Sequence, residues 1–87
     1  RIAATYLAEG RLDLARQAYE KALAADPGLF EARYGLAIVE QDAGRALAAL
    51  EHALAAIESA PGDVSRSAAR AIASALSPYA KLEASGL

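Results

Sequence analysis

The 87-residue sequence contains no cysteine, no tryptophan and no methionine, and aromatic residues make up only 6% of it. Without cysteine the chain forms neither a disulfide nor a thiolate metal site. No apolar run approaches the roughly 20 residues that span a bilayer, and none resembles the apolar region of a signal peptide. We therefore expect no membrane insertion. The composition does not determine the cellular compartment, because a cysteine-free domain is compatible with both reducing and oxidising environments.

The sequence also lacks an excess of positive charge, since nine Lys and Arg stand against eleven Asp and Glu for a net charge of −2. A basic surface that releases counterions from a phosphate backbone is not expected, so nucleic acid is excluded as a partner. Hydrophobic residues nevertheless make up 55% of the chain. They are mostly Ala, Leu and Ile, which favour close-packed helices over sheets. The composition predicts a small all-α domain.

Glycine and proline divide the chain into segments of ordinary helical length. The breakers are Gly10, Pro27-Gly28, Gly44, Pro61-Gly62 and Ser77-Pro78. They predict helices near residues 1–9, 12–26, 30–42, 46–59 and 63–76, and a short last helix near 78–84. Asp63 and Ser77 are predicted as N-caps, and Gly28 and Gly62 are expected to take left-handed backbone after the prolines.

The second and fourth segments show the apolar spacing of amphipathic helices. Their apolar stripes are Leu12, Ala15, Tyr19, Ala22 and Leu23, and Ala46, Ala49, Leu50, Ala53, Ala56 and Ile57. Charged residues occupy the other faces, where solvation is the expected role. These are Arg16, Glu20 and Lys21 on the second segment, and Glu51 and Glu58 on the fourth.

The breakers recur at a spacing of 34 residues. Gly10-Arg11 corresponds to Gly44-Arg45, and Pro27-Gly28 corresponds to Pro61-Gly62. Small residues recur at the same spacing, in the pairs Ala3 and Ala37, Ala15 and Ala49, and Ala22 and Ala56. Alanine at these positions lets antiparallel helices approach to the short end of about 8 to 10 Å. A fixed period with a helical hairpin in each unit indicates a stacked repeat.

On these residues the sequence resembles the tetratricopeptide repeats. In the first copy the family pattern is matched by Ile2, Ala3, Tyr6, Ala15, Tyr19 and Pro27. In the second copy it is matched by Leu36, Ala37, Ala49 and Pro61, whereas Arg33, Glu40 and Ala53 depart from it. The resemblance implies a right-handed α-solenoid of antiparallel helix pairs. Residues 1–29 would form a partial first repeat, 30–63 a second repeat, and 64–87 a capping helix or a degenerate third repeat.

The resemblance also implies a non-catalytic scaffold that binds a peptide or helix of a partner protein in a concave groove. The lining carried over to this sequence is Leu7, Tyr34, Ile38, Gln41, Asp42 and Ile72, with Tyr34 and Ile38 as anchors. This surface suits an amphipathic or apolar segment. The family's carboxylate-gripping mode uses asparagine, which this sequence lacks, so that mode is rejected. The groove is alternatively empty or filled by the protein's own next helix.

Other functions find less support in the sequence. His52 is the single histidine and has no second metal ligand, and we interpret it as a solvated residue. Carboxylate pairs that Asp42 forms with Glu31 or Glu40 are interpreted as surface charge, so no enzyme, metal or cofactor is expected. The alternative function is self-association into a homo-oligomer. Leu47 and Leu54 lie beside the buried stripe, and we expect the C-terminal helix to cover them, with a second protomer as the alternative cover.

Overall fold

The computed structural model describes residues 2–86, and within this range all regular structure is helical. The five helices are α1 (Ile2–Ala8), α2 (Leu12–Ala25), α3 (Phe30–Asp42), α4 (Ala46–Ser59) and α5 (Asp63–Ala84). Each helix packs against the next one in the chain, while α1 with α3 and α3 with α5 touch only marginally. The predicted all-α solenoid is thereby confirmed. No helix within residues 2–86 combines the length and apolarity needed to cross a membrane.

Two turns that lie 34 residues apart have the same geometry. Gly10 and Gly44 end α1 and α3 with φ of +76° and +80°, a left-handed conformation that glycine adopts without steric cost. The N–H of the following arginine then donates to the carbonyl five residues earlier. Arg11 donates to Tyr6 at 2.9 Å and Arg45 donates to Glu40 at 2.8 Å. The recurring Gly-Arg pair therefore builds the same hairpin turn twice.

The proline-glycine junctions differ from the sequence prediction. Within the described residues, positive φ occurs at Gly10, Gly44 and Gly86, so the left-handed backbone expected at Gly28 and Gly62 is wrong. The residues that follow α2 and α4, Asp26 and Ala60, already take extended backbone and turn the chain away from the helix. At the first junction the N–H of Gly28 donates to the Asp26 side chain at 3.2 Å, which closes the turn without a left-handed residue.

The core is built mainly from alanine. The predicted crossing positions Ala15, Ala37, Ala49 and Ala56 are completely buried, whereas Ala22 is only half-buried. Leu36 and Val39 of the central helix α3 are the largest fully buried side chains. A second layer of apolar side chains packs on the cluster of Ala37, Ala53 and Ala73, and it consists of Leu50, Ile57 and Ile72.

The C-terminal region is one helix rather than two. Helix α5 continues from Asp63 to Ala84 with Pro78 inside it, so the predicted break and the N-cap at Ser77 are wrong. Proline removes one backbone hydrogen bond and strains a helix. Leu76 and Ala80, on either side of Pro78, are both buried, and this packing holds the helix together across the missing bond. Asp63 is the first helical residue, and the cap position falls on the extended Gly62.

The C-terminal helix does not cover Leu47 and Leu54. Helix α5 buries a stripe of Ala69, Ala73, Leu76 and Ala80. Leu47 and Leu54 remain 36% and 51% exposed. Val64, Tyr79 and Leu82 of α5, which were expected to form the cover, are themselves exposed, and only Leu76 and part of Ile72 are buried. The expected cover is therefore wrong, because α5 packs through a stripe of alanines and Leu76, whereas its Val64, Tyr79 and Leu82 stay exposed.

Candidate protein-binding groove

An open groove of about 1340 Å³ lies against α1, α2 and the part of α3 that runs from Phe30 to Ile38. We call it the N-terminal groove. Its apolar lining includes Leu7, Leu14, Ala18, Leu29 and Ile38. Clefts of this kind, apolar with a few polar groups, are where proteins usually hold ligands.

Aromatic side chains are concentrated in the N-terminal groove. The chain has four tyrosines and one phenylalanine, and Tyr6, Tyr19, Phe30 and Tyr34 all line the groove. The rings of Phe30 and Tyr34 are one helical turn apart on α3, and they stack with centroids 5.4 Å apart and an interplanar angle of 22°. Aromatic rings provide large contact areas at low entropic cost, which is why they dominate binding surfaces.

Gly35 lets the ring of Tyr19 rest on the backbone of α3. A Cβ atom at residue 35 would overlap the Cζ and Cε atoms of Tyr19, so only glycine allows this approach. Burial raises the pKa of Tyr19, and the nearby Glu31 carboxylate raises it further. Sequence reasoning missed Gly35, although an isolated glycine inside a predicted helix is a recognised sign of close backbone packing.

The structure brings three of the six predicted groove residues together. Leu7, Tyr34 and Ile38 line the N-terminal groove. Gln41 and Asp42 are exposed at the C-terminal end of α3 and do not line it. Ile72 packs on the core cluster of α3, α4 and α5, so at that point the chain's own helix fills the space. The assignment of the six residues to partner binding stays a prediction.

A buried ion pair connects α2 to α3. Glu40 is only 5% exposed. Arg16 donates from Nε to Oε2 of Glu40 at 2.9 Å and from Nη2 to Oε1 at 3.0 Å. These bonds from Arg16 hold the pKa of Glu40 below its usual value, and the hydrogen bond to Glu40 raises the pKa of Arg16. Interpreting Arg16 and Glu40 as solvated charges was wrong. The missed signal is that Glu40 departs from the resembled repeat pattern, which has a tyrosine at this position.

His52 is half-buried on α4 rather than solvated. Burial lowers its pKa, and the positive charge of Arg33 lowers it further. No group of three or more histidine or acidic side chains within residues 2–86 is arranged to hold a metal ion.

A second, shallower groove of about 980 Å³ runs between α4 and α5. Leu54 and Leu82 line it together with Ser77, Pro78 and Lys81. It has no aromatic lining, in contrast to the N-terminal groove.

The comparison with protein families bears on the N-terminal groove. A model of the tetratricopeptide repeat matches residues 1–39. This part of the chain is therefore similar to a tetratricopeptide repeat. The matched segment contains α1, α2 and most of α3, which are the three helices that line the groove. Tetratricopeptide repeats generally mediate protein–protein interaction and are not catalytic. No curated protein and no solved structure matches the chain.

Proposed function

We propose that this chain is a non-catalytic interaction module that holds a segment of a partner protein in the N-terminal groove. One observation carries the proposal: four of the five aromatic residues line a single groove together with Leu7 and Ile38. The tetratricopeptide repeat match supports it, because the matched residues run through Ile38. In this proposal residues 1–29 are a partial first repeat, residues 30–63 are a second repeat, and residues 64–87 are a capping helix or a degenerate third repeat.

The lining favours a segment with large apolar side chains. Leu7, Tyr34 and Ile38 are each half-buried, so each still has surface to bury against a partner. An amphipathic helix or an extended apolar peptide would place its side chains between these three residues. Tyr34 is the expected centre of the interface, because tyrosine in a partly desolvated pocket carries a large share of binding energy.

The experiment selects binders from a random-peptide display library on the wild-type chain, and then measures their affinities for variants. Tyr34→Ala and Ile38→Glu should each weaken the groove binders by about tenfold or more, because they remove an anchor or place a charge in the apolar lining. Tyr79→Ala and Val64→Glu are the matched controls, since both residues are exposed on α5 outside the groove. Helical circular dichroism should be unchanged in all four variants. Binders that tolerate both groove variants would place binding elsewhere.

Self-association is the second candidate, and the exposed apolar side chains of α4 and α5 favour it. Leu47, Leu54, Tyr79 and Leu82 all remain accessible, and exposed apolar patches often mark protein interfaces. Sedimentation over a concentration series tests it. A chain that remains monomeric at the highest concentration would remove this candidate, and an association abolished by Leu54→Glu would support it.

A further inference from the structure

The charged residues of the N-terminal groove indicate which kind of segment fits there. Among the described residues, the charged side chains that line it are Glu20, Lys21 and Glu31. All three are exposed, and none forms an ion pair with another described residue. The described lining therefore carries two unpaired carboxylates against one ammonium group.

Glu31 places its negative charge beside the aromatic rings of the groove, where a bound ligand would contact both. It belongs to the first turn of α3, directly after Phe30, whose ring stacks on Tyr34. Glu31 lines the groove together with the ring of Tyr19, so the carboxylate and the aromatic rings share one part of the groove. A cation placed over an aromatic face is attracted by the ring, and a neighbouring carboxylate adds direct charge attraction.

From this arrangement we infer that the N-terminal groove takes a protein segment in which a lysine or arginine stands beside the apolar anchor. The inference rests on the proposed function and specifies the partner's chemistry. Leu7 and Ile38 receive the apolar side chain, and the cation lies between Glu31 and the Phe30–Tyr34 pair. An acidic segment would instead meet two carboxylates and find only Lys21 to pair with.

Two charge-reversing substitutions at the groove, Glu31→Lys and Lys21→Glu, test the inference, because they are expected to change peptide affinity in opposite directions. The probes are two synthetic amphipathic peptides of the same apolar pattern, one with lysine and one with glutamate beside the central leucine. The lysine peptide should bind about three- to tenfold more tightly to the wild-type chain. Glu31→Lys should weaken its binding by a similar factor, and Lys21→Glu should strengthen it. Added salt should reduce both effects, because exposed charges are screened.

Glu58→Lys is the matched control, because Glu58 is exposed on α4 outside the groove and its reversal changes the net charge by the same amount. It should leave both peptide affinities within about twofold. If both peptides bind equally and lose affinity in Ile38→Glu, the inference is overturned and the proposed function survives. If neither peptide binds and no library peptide depends on Ile38, the proposed function fails, and the inference fails with it. Tighter binding of the glutamate peptide also overturns the inference.

Discussion

Arg16 and Glu40 join α2 to α3 through two hydrogen bonds in a fork-to-fork arrangement, at 2.9 and 3.0 Å. The same arginine also donates to the exposed Asp13 at 3.1 Å, and Nη1 of Arg45 lies 3.9 Å from Oε1 of Glu40. Glu40 follows the groove residue Ile38 by two positions on α3. The ion pair therefore fixes the position of the helix that carries Tyr34 and Ile38 relative to α2.

Replacing Arg16 should lower the free energy of unfolding substantially. Arg16→Ala leaves the buried Glu40 carboxylate with only the more distant Arg45, so we expect a loss of about 3 kcal/mol of unfolding free energy. Urea denaturation measures it. Arg66→Ala, which removes a single hydrogen bond to the exposed Asp63, should cost less than about 1 kcal/mol. Equal costs for the two variants would show that the Arg16 pair adds nothing beyond a surface contact.

Acid should weaken the fold through the same pair. The Glu40 pKa is lowered in the folded state, so its stabilisation is complete above the unfolded value of about 4.3 and is lost as pH falls through the folded pKa. Unfolding free energy measured from pH 6 to pH 3 should therefore fall less steeply in Glu40→Gln than in wild type. If the unfolding free energy falls equally steeply with pH in both proteins, the ion pair of Glu40 with Arg16 would be contradicted.

Gly35→Ala should destabilise the chain, because its new methyl group overlaps the Tyr19 ring. We expect a net loss of about 1 to 2 kcal/mol, with the better helix propensity of alanine offsetting part of the overlap. In a Tyr19→Ala background the overlap is absent, so the same change should stabilise by up to about 1 kcal/mol. Thermal unfolding of the wild type, the two single variants and the double variant measures the expected loss in one background and the expected gain in the other. A loss of equal size in both backgrounds would disprove the close contact.

Ala49→Leu should overfill a completely buried helix contact. The expected cost is about 1 to 3 kcal/mol, because a close-packed core accepts extra methyl groups only through strain. Ala71→Leu is the control, since Ala71 is exposed on α5, and it should stay within about 0.5 kcal/mol of wild type. Chemical denaturation of both variants makes the comparison. An unchanged Ala49→Leu would remove the argument for closely approaching helices.

Pro78→Ala should stabilise the protein. The N–H gained at residue 78 can bond to the carbonyl of Ser74, which should add about 1 to 3 kcal/mol to the unfolding free energy. A gain of 1 kcal/mol raises the melting temperature of a domain of this size by about 4 to 8 °C. Pro61→Ala, in the turn before α5, should bring no gain, because there proline restricts the unfolded chain. A lower melting temperature for Pro78→Ala would mean that α5 relies on the proline.

Local chemistry in the sequence determined the first four helices and the two turns that end in a Gly-Arg pair. Gly10 and Gly44 end helices because few other residues take their backbone angles at low cost, and that preference belongs to the residue itself. The alanine stripes likewise predict which faces of α2 and α4 are buried, because helical spacing alone assigns residues to a face.

Only the tertiary structure decided the rest. Pro78 lies inside α5 because packing of Leu76 and Ala80 outweighs a local preference to break. Glu40 is buried because Arg16, 24 residues away, supplies its bonds, and no local pattern shows a partner that distant. Leu7, Tyr34 and Ile38 meet in one groove while Ile72 joins the core, because burial depends on which helices pack together. Periodicity assigns a side chain to a face of its helix, but the neighbouring helix decides whether that face meets solvent, a partner or the core.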